Sequence, residues 1–156
     1  MSSTKTERYT LDTNILICAI DRSGGAKHRL AVDIVDRSIE RPCVLTLQAL
    51  AEFVYAVTRK DFVPRRDAVA QARDWLAAFE VTAADTDALD AAYAATIAGA
   101  FGLFDALLLA TARKAGCTIV LSEDMADGAA LDGIVVRNPL RGEALPDDLR
   151  PLLGMT

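Results

Sequence analysis

The feature that most constrains this chain is a regular alternation of short β-branched runs with longer amphipathic ones. Residues 8–12 (Arg-Tyr-Thr-Leu-Asp), 43–46 (Cys-Val-Leu-Thr), 118–121 (Thr-Ile-Val-Leu) and 134–136 (Ile-Val-Val) have the length and composition of strands. The runs between them repeat apolar residues at a helical period. Strands separated by helices point to βαβ units and a parallel sheet, because a parallel pair needs a long crossover.

The helical runs can be placed individually. Residues 13–20 follow the first strand and end at the turn-forming Asp21-Arg22-Ser23-Gly24-Gly25. Residues 28–39 put Leu30, Ile34, Val35 and Ile39 on one side. Thr46 is a candidate N-cap for a helix reaching about Arg59. Residues 67–79 repeat through Val69, Ala72, Trp75, Leu76 and Phe79, and Val81 and Thr82 form a minor strand. Residues 85–97 are Ala-rich, with Leu89, Tyr93 and Ile97 one turn apart. Gly102 breaks the chain before a last helix, residues 104–115, which Gly116 ends in a left-handed position. Asp127-Gly128 and Asp132-Gly133 are turns, and the tail after Pro139 is irregular. With no repeat or linker, residues 1–156 read as one domain with its core at about residues 8–139.

Composition narrows the function. Apolar residues make up 52% and charged residues 25%, the balance of a soluble globular chain. No apolar run approaches the roughly 18 residues of a membrane span. The first residues, Met-Ser-Ser-Thr-Lys-Thr-Glu-Arg, lack the apolar centre of a signal peptide, so the expected location is the cytoplasm. Cys18, Cys43 and Cys117 are scattered in apolar runs without a CxxC pair and read as reduced core thiols. The single histidine, His28, excludes a two-histidine ribonuclease and a multi-histidine zinc site. A Ser-His-Asp triad would also need it, and no GxSxG accompanies it. A net charge of -5 argues against broad nonspecific nucleic-acid binding. It is compatible with an RNA enzyme whose acids hold cations, because those cations supply the positive charge for phosphates.

Four carboxylates stand out by position. Asp12 closes the first strand, where ligands gather in open parallel sheets, although Asp is equally a common helix cap. Glu52 is the only charged residue between Arg41 and Arg59 in an otherwise apolar helix, which costs energy unless it is paired, metal-bound or on a solvated face. Asp105 opens the most apolar helix, where it serves either chemistry or the helix dipole. Asp124 follows the strand at residues 118–121, with Glu123 as an alternative inward-facing group. Parallel topology brings strand ends to one rim, and four oxygen donors without a neighbouring His or Cys suit a hard cation such as Mg²⁺ or Mn²⁺. The basic groups Arg59, Lys60, Arg65 and Arg66, and Arg113 with Lys114, are candidates for positioning RNA phosphates or for ordinary helix ends. An aromatic content of 6% offers no evident base-stacking platform.

Asp12-Thr13-Asn14, Ala51-Glu52-Phe53 followed by Thr58-Arg59-Lys60, Phe104-Asp105-Ala106-Leu107, and Ser122-Glu123-Asp124 resemble, in order, the four signature segments of PIN domains. The likeness is closest to VapC-like toxins and runs from Tyr9 to about Pro139; Asp127-Gly128 and Ile134-Val-Val-Arg-Asn-Pro are similar to one subgroup of them. The resemblance implies a three-layer α/β/α sandwich around a central parallel sheet, usually dimeric, that cleaves single-stranded regions of RNA. It implies that Asp12 and Asp105 hold the metal most directly and that Glu52 and Asp124 complete the acidic pocket. Thr13, Asn14 and Ser122 would orient those ligands.

The expected chemistry is hydrolysis by a metal-activated water, with Mg²⁺ or Mn²⁺ as cofactor, leaving 5′-phosphate and 3′-hydroxyl ends. The expected partners are the RNA, a small antitoxin protein and a second copy of the chain. Two other readings compete. One is an antitoxin-binding regulatory protein with little turnover, whose Ala- and Leu-rich helices bury a partner segment. The other is a Mg²⁺-dependent phosphatase, disfavoured because Asn14 occupies the place of that class's second Asp.

Overall fold

A computed structural model describes residues 7–59 and 62–156; Lys60 of the basic cluster and the polar segment 1–6 lie outside the described residues. Among the described residues, six strands and six α-helices follow in the order β1 (Arg8–Leu11), α1 (Thr13–Ile20), α2 (Ala26–Ser38), β2 (Val44–Thr46), α3 (Leu47–Thr58), α4 (Arg65–Ala78), β3 (Glu80–Thr82), α5 (Thr86–Ala98), α6 (Leu103–Lys114), β4 (Cys117–Leu121), β5 (Ala130–Leu131) and β6 (Ile134–Arg137). The sheet order is β1-β4-β6-β5, with β2 and β3 paired separately. A parallel bridge from Tyr9 to Cys43 brings that second pair alongside β1. Every pairing is parallel except the β5–β6 hairpin. The fold is an α/β/α sandwich around a central parallel sheet. Among the described residues no helix is long and apolar enough to cross a membrane.

Parallel register fixes where chemistry can gather. Leu11 pairs with Leu121, and the Asp12 N–H donates to the Leu121 carbonyl at 2.9 Å. β1 and β4 therefore end side by side, and the residues after them emerge on one rim. β1 is buried along Tyr9, Thr10 and Leu11, as a central parallel strand covered on both faces must be.

Local signals anchor the helices. Thr46 caps α3 by accepting from the Ala49 N–H at 3.0 Å. We expect Thr46→Ala to cost about 1 kcal/mol, lowering the melting midpoint by about 2–4 °C for a chain of this size. An unchanged midpoint in a thermal melt would remove the cap from the account. Gly116 follows α6 at φ 91°, where an L side chain is strained, and an added Cβ would also sit 3.3 Å from the Arg8 guanidine nitrogen.

The structure departs from the sequence expectation in four places. The Leu89-Tyr93-Ile97 stripe is not the buried face of α5: Ile97 is 88% exposed, and Ala88, Ala92 and Ala95 point inward instead. The cause is close helix packing, since alanines let α5 approach α6 at Ala106. In α2, Ile39 falls beyond the helix and is exposed, while Ser38 turns inward. The Ser38 hydroxyl accepts from Tyr9 Oη and donates to the Ile34 carbonyl, both at 2.6 Å, so the buried polar groups satisfy one another. In α4, Leu76 is exposed, and Ala68 and Trp75 reach the core instead, Trp75 lying edge-on to Phe53 at 4.8 Å. The segment at Asp132-Gly133 is a two-residue hairpin turn with positive φ at both positions, and it adds the short strand β5.

The tail after Pro139, expected to be irregular and outside a core at about residues 8–139, instead forms short 3-10 helices at Asp147–Leu149 and Pro151–Leu153 and contributes to the core. Leu140, Leu145, Leu149, Leu152 and Leu153 are buried in the main apolar cluster. Arg41 Nε donates to the Leu152 carbonyl at 3.2 Å, and Arg137 grips Asp148 through both guanidinium nitrogens at 2.6 and 3.1 Å.

Candidate active site at the carboxyl rim of the sheet

Asp12 is the centre of the rim. It is only 7% exposed and begins the turn from β1 into α1. One carboxylate oxygen accepts from the Thr13 N–H at 2.8 Å, capping α1. The other accepts from Ser122 Oγ at 2.8 Å and Asn14 Nδ2 at 3.0 Å. Three donors converge on one acid, so the position demands an acceptor. Burial pushes the Asp12 carboxyl up from its usual range; the bonds from Ser122 and Thr13 oppose this, and the charges of Asp105 and Asp124 add to it.

Ser122 folds the loop after β4 around this acid. Its oxygen accepts the N–H groups of Asp124 and Met125, each at 3.3 Å, while its hydroxyl donates to Asp12. Asn14 braces the same loop from α1, its side-chain oxygen accepting the Glu123 N–H at 3.1 Å. Asn14 thus serves as a bridge between two rim segments.

Glu52 approaches from α3, half-buried, and both its oxygens are held: one by Thr13 Oγ1 at 3.1 Å, the other by Gln48 Nε2 at 2.9 Å. Asp105 lies exposed in the first turn of α6, a helix without a side-chain N-cap bond. Desolvation, Glu52 and Asp124 push its carboxyl upward, in that order. The four acids therefore share one field, although they arise from a strand end, two helices and a loop.

The two acids after β4 diverge. Glu123 pairs with Lys27 Nζ at 2.9 Å and accepts from Cys18 Sγ at 3.7 Å, on the α1–α2 side. Burial of Cys18 and then the charge of Glu123 raise the Cys18 thiol to about 11, which disfavours a thiolate nucleophile there. Asp124 acts on Asp12 and Asp105 instead. All three cysteines are free, with Cys43 and Cys117 buried.

The basic residues fall into two groups. Arg113 donates to the Asp132 carbonyl and Lys114 pairs with Asp85 and Asp87, which commits both to structural contacts. Arg59 lies over the Tyr55 ring at 5.5 Å, and Arg65 and Arg66 are exposed at the start of α4.

The donor set fits a hard divalent cation: four carboxylates, no imidazole or thiolate among them, and a mutual repulsion that a cation would relieve. Among the described residues no three His, Cys, Asp or Glu side chains converge into a ready-made cage. A cage is not required, because Mg²⁺ keeps several waters and is commonly held by one or two carboxylates plus substrate phosphates. Gln48 escaped the sequence reading. Its only sequence signal is its place four residues before Glu52 on one helix face.

No curated protein sequence matches the chain. Among solved structures it is similar to VapC20 of Mycobacterium tuberculosis, described as a sarcin-ricin loop cleaving toxin, at 21% identity and TM-score 0.59 over 77% of this chain and 90% of that one. It is similar to a chain of the Rickettsia felis VapBC2 complex bound to a promoter DNA fragment, at 14% identity and TM-score 0.61 over 83% and 97%. It is also similar to a chain of DNA-bound VapBC from Salmonella typhimurium, at 17% identity and TM-score 0.59 over 85% and 98%. These likenesses are of fold. At the sequence level the PIN domain family model matches residues 9–126, which span all four acids, and the chain belongs to the PIN domain family.

Proposed function

We propose that this chain is a metal-dependent endoribonuclease that cleaves single-stranded regions of RNA, acting in the cytoplasm as the toxin of a toxin–antitoxin pair. The observation that carries the reading is the buried Asp12, held by three donors and surrounded by the charges of Asp105 and Asp124. Membership of the PIN family and the toxin described for the Mycobacterium neighbour support it.

Asp12 and Asp105 would hold a Mg²⁺ or Mn²⁺ ion, with Glu52 and Asp124 completing the pocket directly or through water. Bound there, the ion would supply positive charge to the scissile phosphate and acidify the attacking water. The chain's own residues prepare that chemistry. Ser122, Asn14 and the Thr13 N–H fix the Asp12 carboxylate so that it need not reorient. Thr13 Oγ1 aims Glu52, and the Ser122-centred turn presents Asp124. No side chain serves as a covalent nucleophile in this scheme, so the products carry 5′-phosphate and 3′-hydroxyl ends.

The test is incubation of the purified protein with RNA and with a phosphomonoester, each with EDTA or Mn²⁺. We expect Mn²⁺-dependent RNA cuts with those ends and no phosphomonoester turnover. Phosphomonoester hydrolysis without RNA cleavage would establish a phosphatase instead.

The antitoxin reading draws on the Rickettsia and Salmonella neighbours, which are described as VapBC complexes. The partners proposed here are a small DNA-binding antitoxin encoded next to this chain and a second copy of the chain. Expression without the antitoxin should slow growth of the host, and Asp12→Asn should relieve the defect. Equal growth of the two cultures at matched protein levels would defeat the toxin reading.

A further inference from the structure

Gln48 lies in the first turn of α3, and its side chain joins two elements of the acidic rim. Its amide nitrogen donates to Glu52 Oε1 at 2.9 Å, one turn along the same helix. The same nitrogen donates at 3.0 Å to the backbone carbonyl of Phe104, the residue before Asp105 in the first turn of α6. Both neighbours are acceptors, so the amide orientation is chemically fixed: a flip would set its oxygen against a carboxylate and a carbonyl. The consequence falls on Gln48 Oε1, which is buried and has no hydrogen-bond partner among the described residues.

A buried acceptor left unpaired is a cost, and the protein carries it at this position. If Gln48 served only to pack α3 against α6, an apolar side chain of the same length would do so without the orphan oxygen. What an apolar residue would lack is a donor between Glu52 and the start of α6. Glu52 is one of the charges that push Asp105 upward, so the two acids repel. Among the described residues, the Gln48 amide is the one neutral group bonding to Glu52 and to the α6 first turn at once.

We infer that Gln48 is a positioning residue of the proposed nuclease site, holding Glu52 and the Asp105-bearing turn of α6 at a fixed separation against their repulsion. The inference rests on the metal-dependent ribonuclease reading given above. It assigns Gln48 no contact with RNA or with the reacting atoms; it acts through the two carboxylates. Groups that orient metal ligands in this way typically change metal affinity or activity by about 10- to 100-fold when removed.

The experiment uses the full chain as wild type, Gln48→Met, Glu52→Ala and the double variant. Two readouts are taken: the Mn²⁺ concentration giving half of the Mn²⁺-induced melting shift, and kcat and KM for RNA cleavage. Methionine keeps the length of the side chain while deleting the donor and the orphan oxygen together. Gln48→Met should melt within about 2–4 °C of the wild-type midpoint with EDTA, because removing the orphan oxygen offsets the loss of the two donated bonds. It should need about 10- to 100-fold more Mn²⁺ for half of the shift, and it should lower kcat with little change in KM. In the double variant Gln48→Met should add little to the loss from Glu52→Ala, because the two side chains act as a unit.

A Gln48→Met protein that melts well below wild type would assign Gln48 to holding the fold and overturn the inference. So would additive effects in the double variant, or a wild-type Mn²⁺ requirement in an active Gln48→Met protein. Failure of the parent reading looks different. Wild-type protein that neither cleaves RNA nor responds to Mn²⁺ would remove the nuclease assignment, and the role of Gln48 with it.

Discussion

Asp12→Asn is expected to reduce Mn²⁺-dependent RNA cleavage by roughly a thousandfold or more, the scale set by several kcal/mol of lost charge stabilisation at about 1.4 kcal/mol per decade. The substitution removes the negative charge at the centre of the rim. It also replaces one acceptor with an amide group where Ser122 Oγ and Asn14 Nδ2 both donate. The Ser122 hydroxyl can rotate and accept, but the Asn14 amide is left facing another donor. The helix survives, because Asn caps as well as Asp and its remaining oxygen can accept the Thr13 N–H. Burial disfavours the ionised acid, so deleting the charge offsets part of the hydrogen-bond loss. The expected outcome is a folded, inactive protein, measured by circular dichroism beside an RNA cleavage time course. Cleavage within tenfold of wild type by a folded Asp12→Asn protein would take Asp12 out of the chemistry.

What could be read from the sequence follows from which interactions are local. The strand–helix alternation, the Thr46 cap and the Gly116 stop depend on a few neighbouring residues, and the structure reproduces them. The buried face of α5 does not. Periodicity ranks large residues as inward, whereas docking on α6 selects the small ones, and that choice is tertiary. The tail shows the same limit, because its leucines have no period and find the core only through chain return. At the site, Asp12 and Asp124 can be located as strand-end acids, since β1 and β4 end side by side. The divergence of Glu123 from Asp124 depends on Lys27 and Cys18, which lie about a hundred residues away in sequence. Gln48 was hidden for a related reason: its bond to Glu52 is local, but its meaning comes from Phe104 across the fold.

The second large effect is on stability. Asp12 and Asp105 both have carboxyls raised in the folded state. A raised folded pKa contributes stability that is present below the unfolded value of about 4 and lost as pH rises through the folded value. At pH 7.5 the metal-free protein therefore carries the full repulsion of the rim. A divalent ion bound only by the folded state stabilises it by about 2.7 kcal/mol at a hundredfold excess over its dissociation constant. At about 2–4 °C per kcal/mol for a chain of this length, Mn²⁺ should raise the wild-type midpoint by about 5–10 °C. Asp105→Asn should raise the metal-free midpoint more modestly, since an exposed charge is screened and contributes at most about 1 kcal/mol. The same substitution should blunt the response to Mn²⁺. If Asp105 served only the α6 dipole, its loss would lower the metal-free midpoint and leave the Mn²⁺ shift intact. Melts of the two proteins in EDTA and in Mn²⁺ separate these cases, and an undiminished Mn²⁺ shift in Asp105→Asn would place the ion away from Asp105.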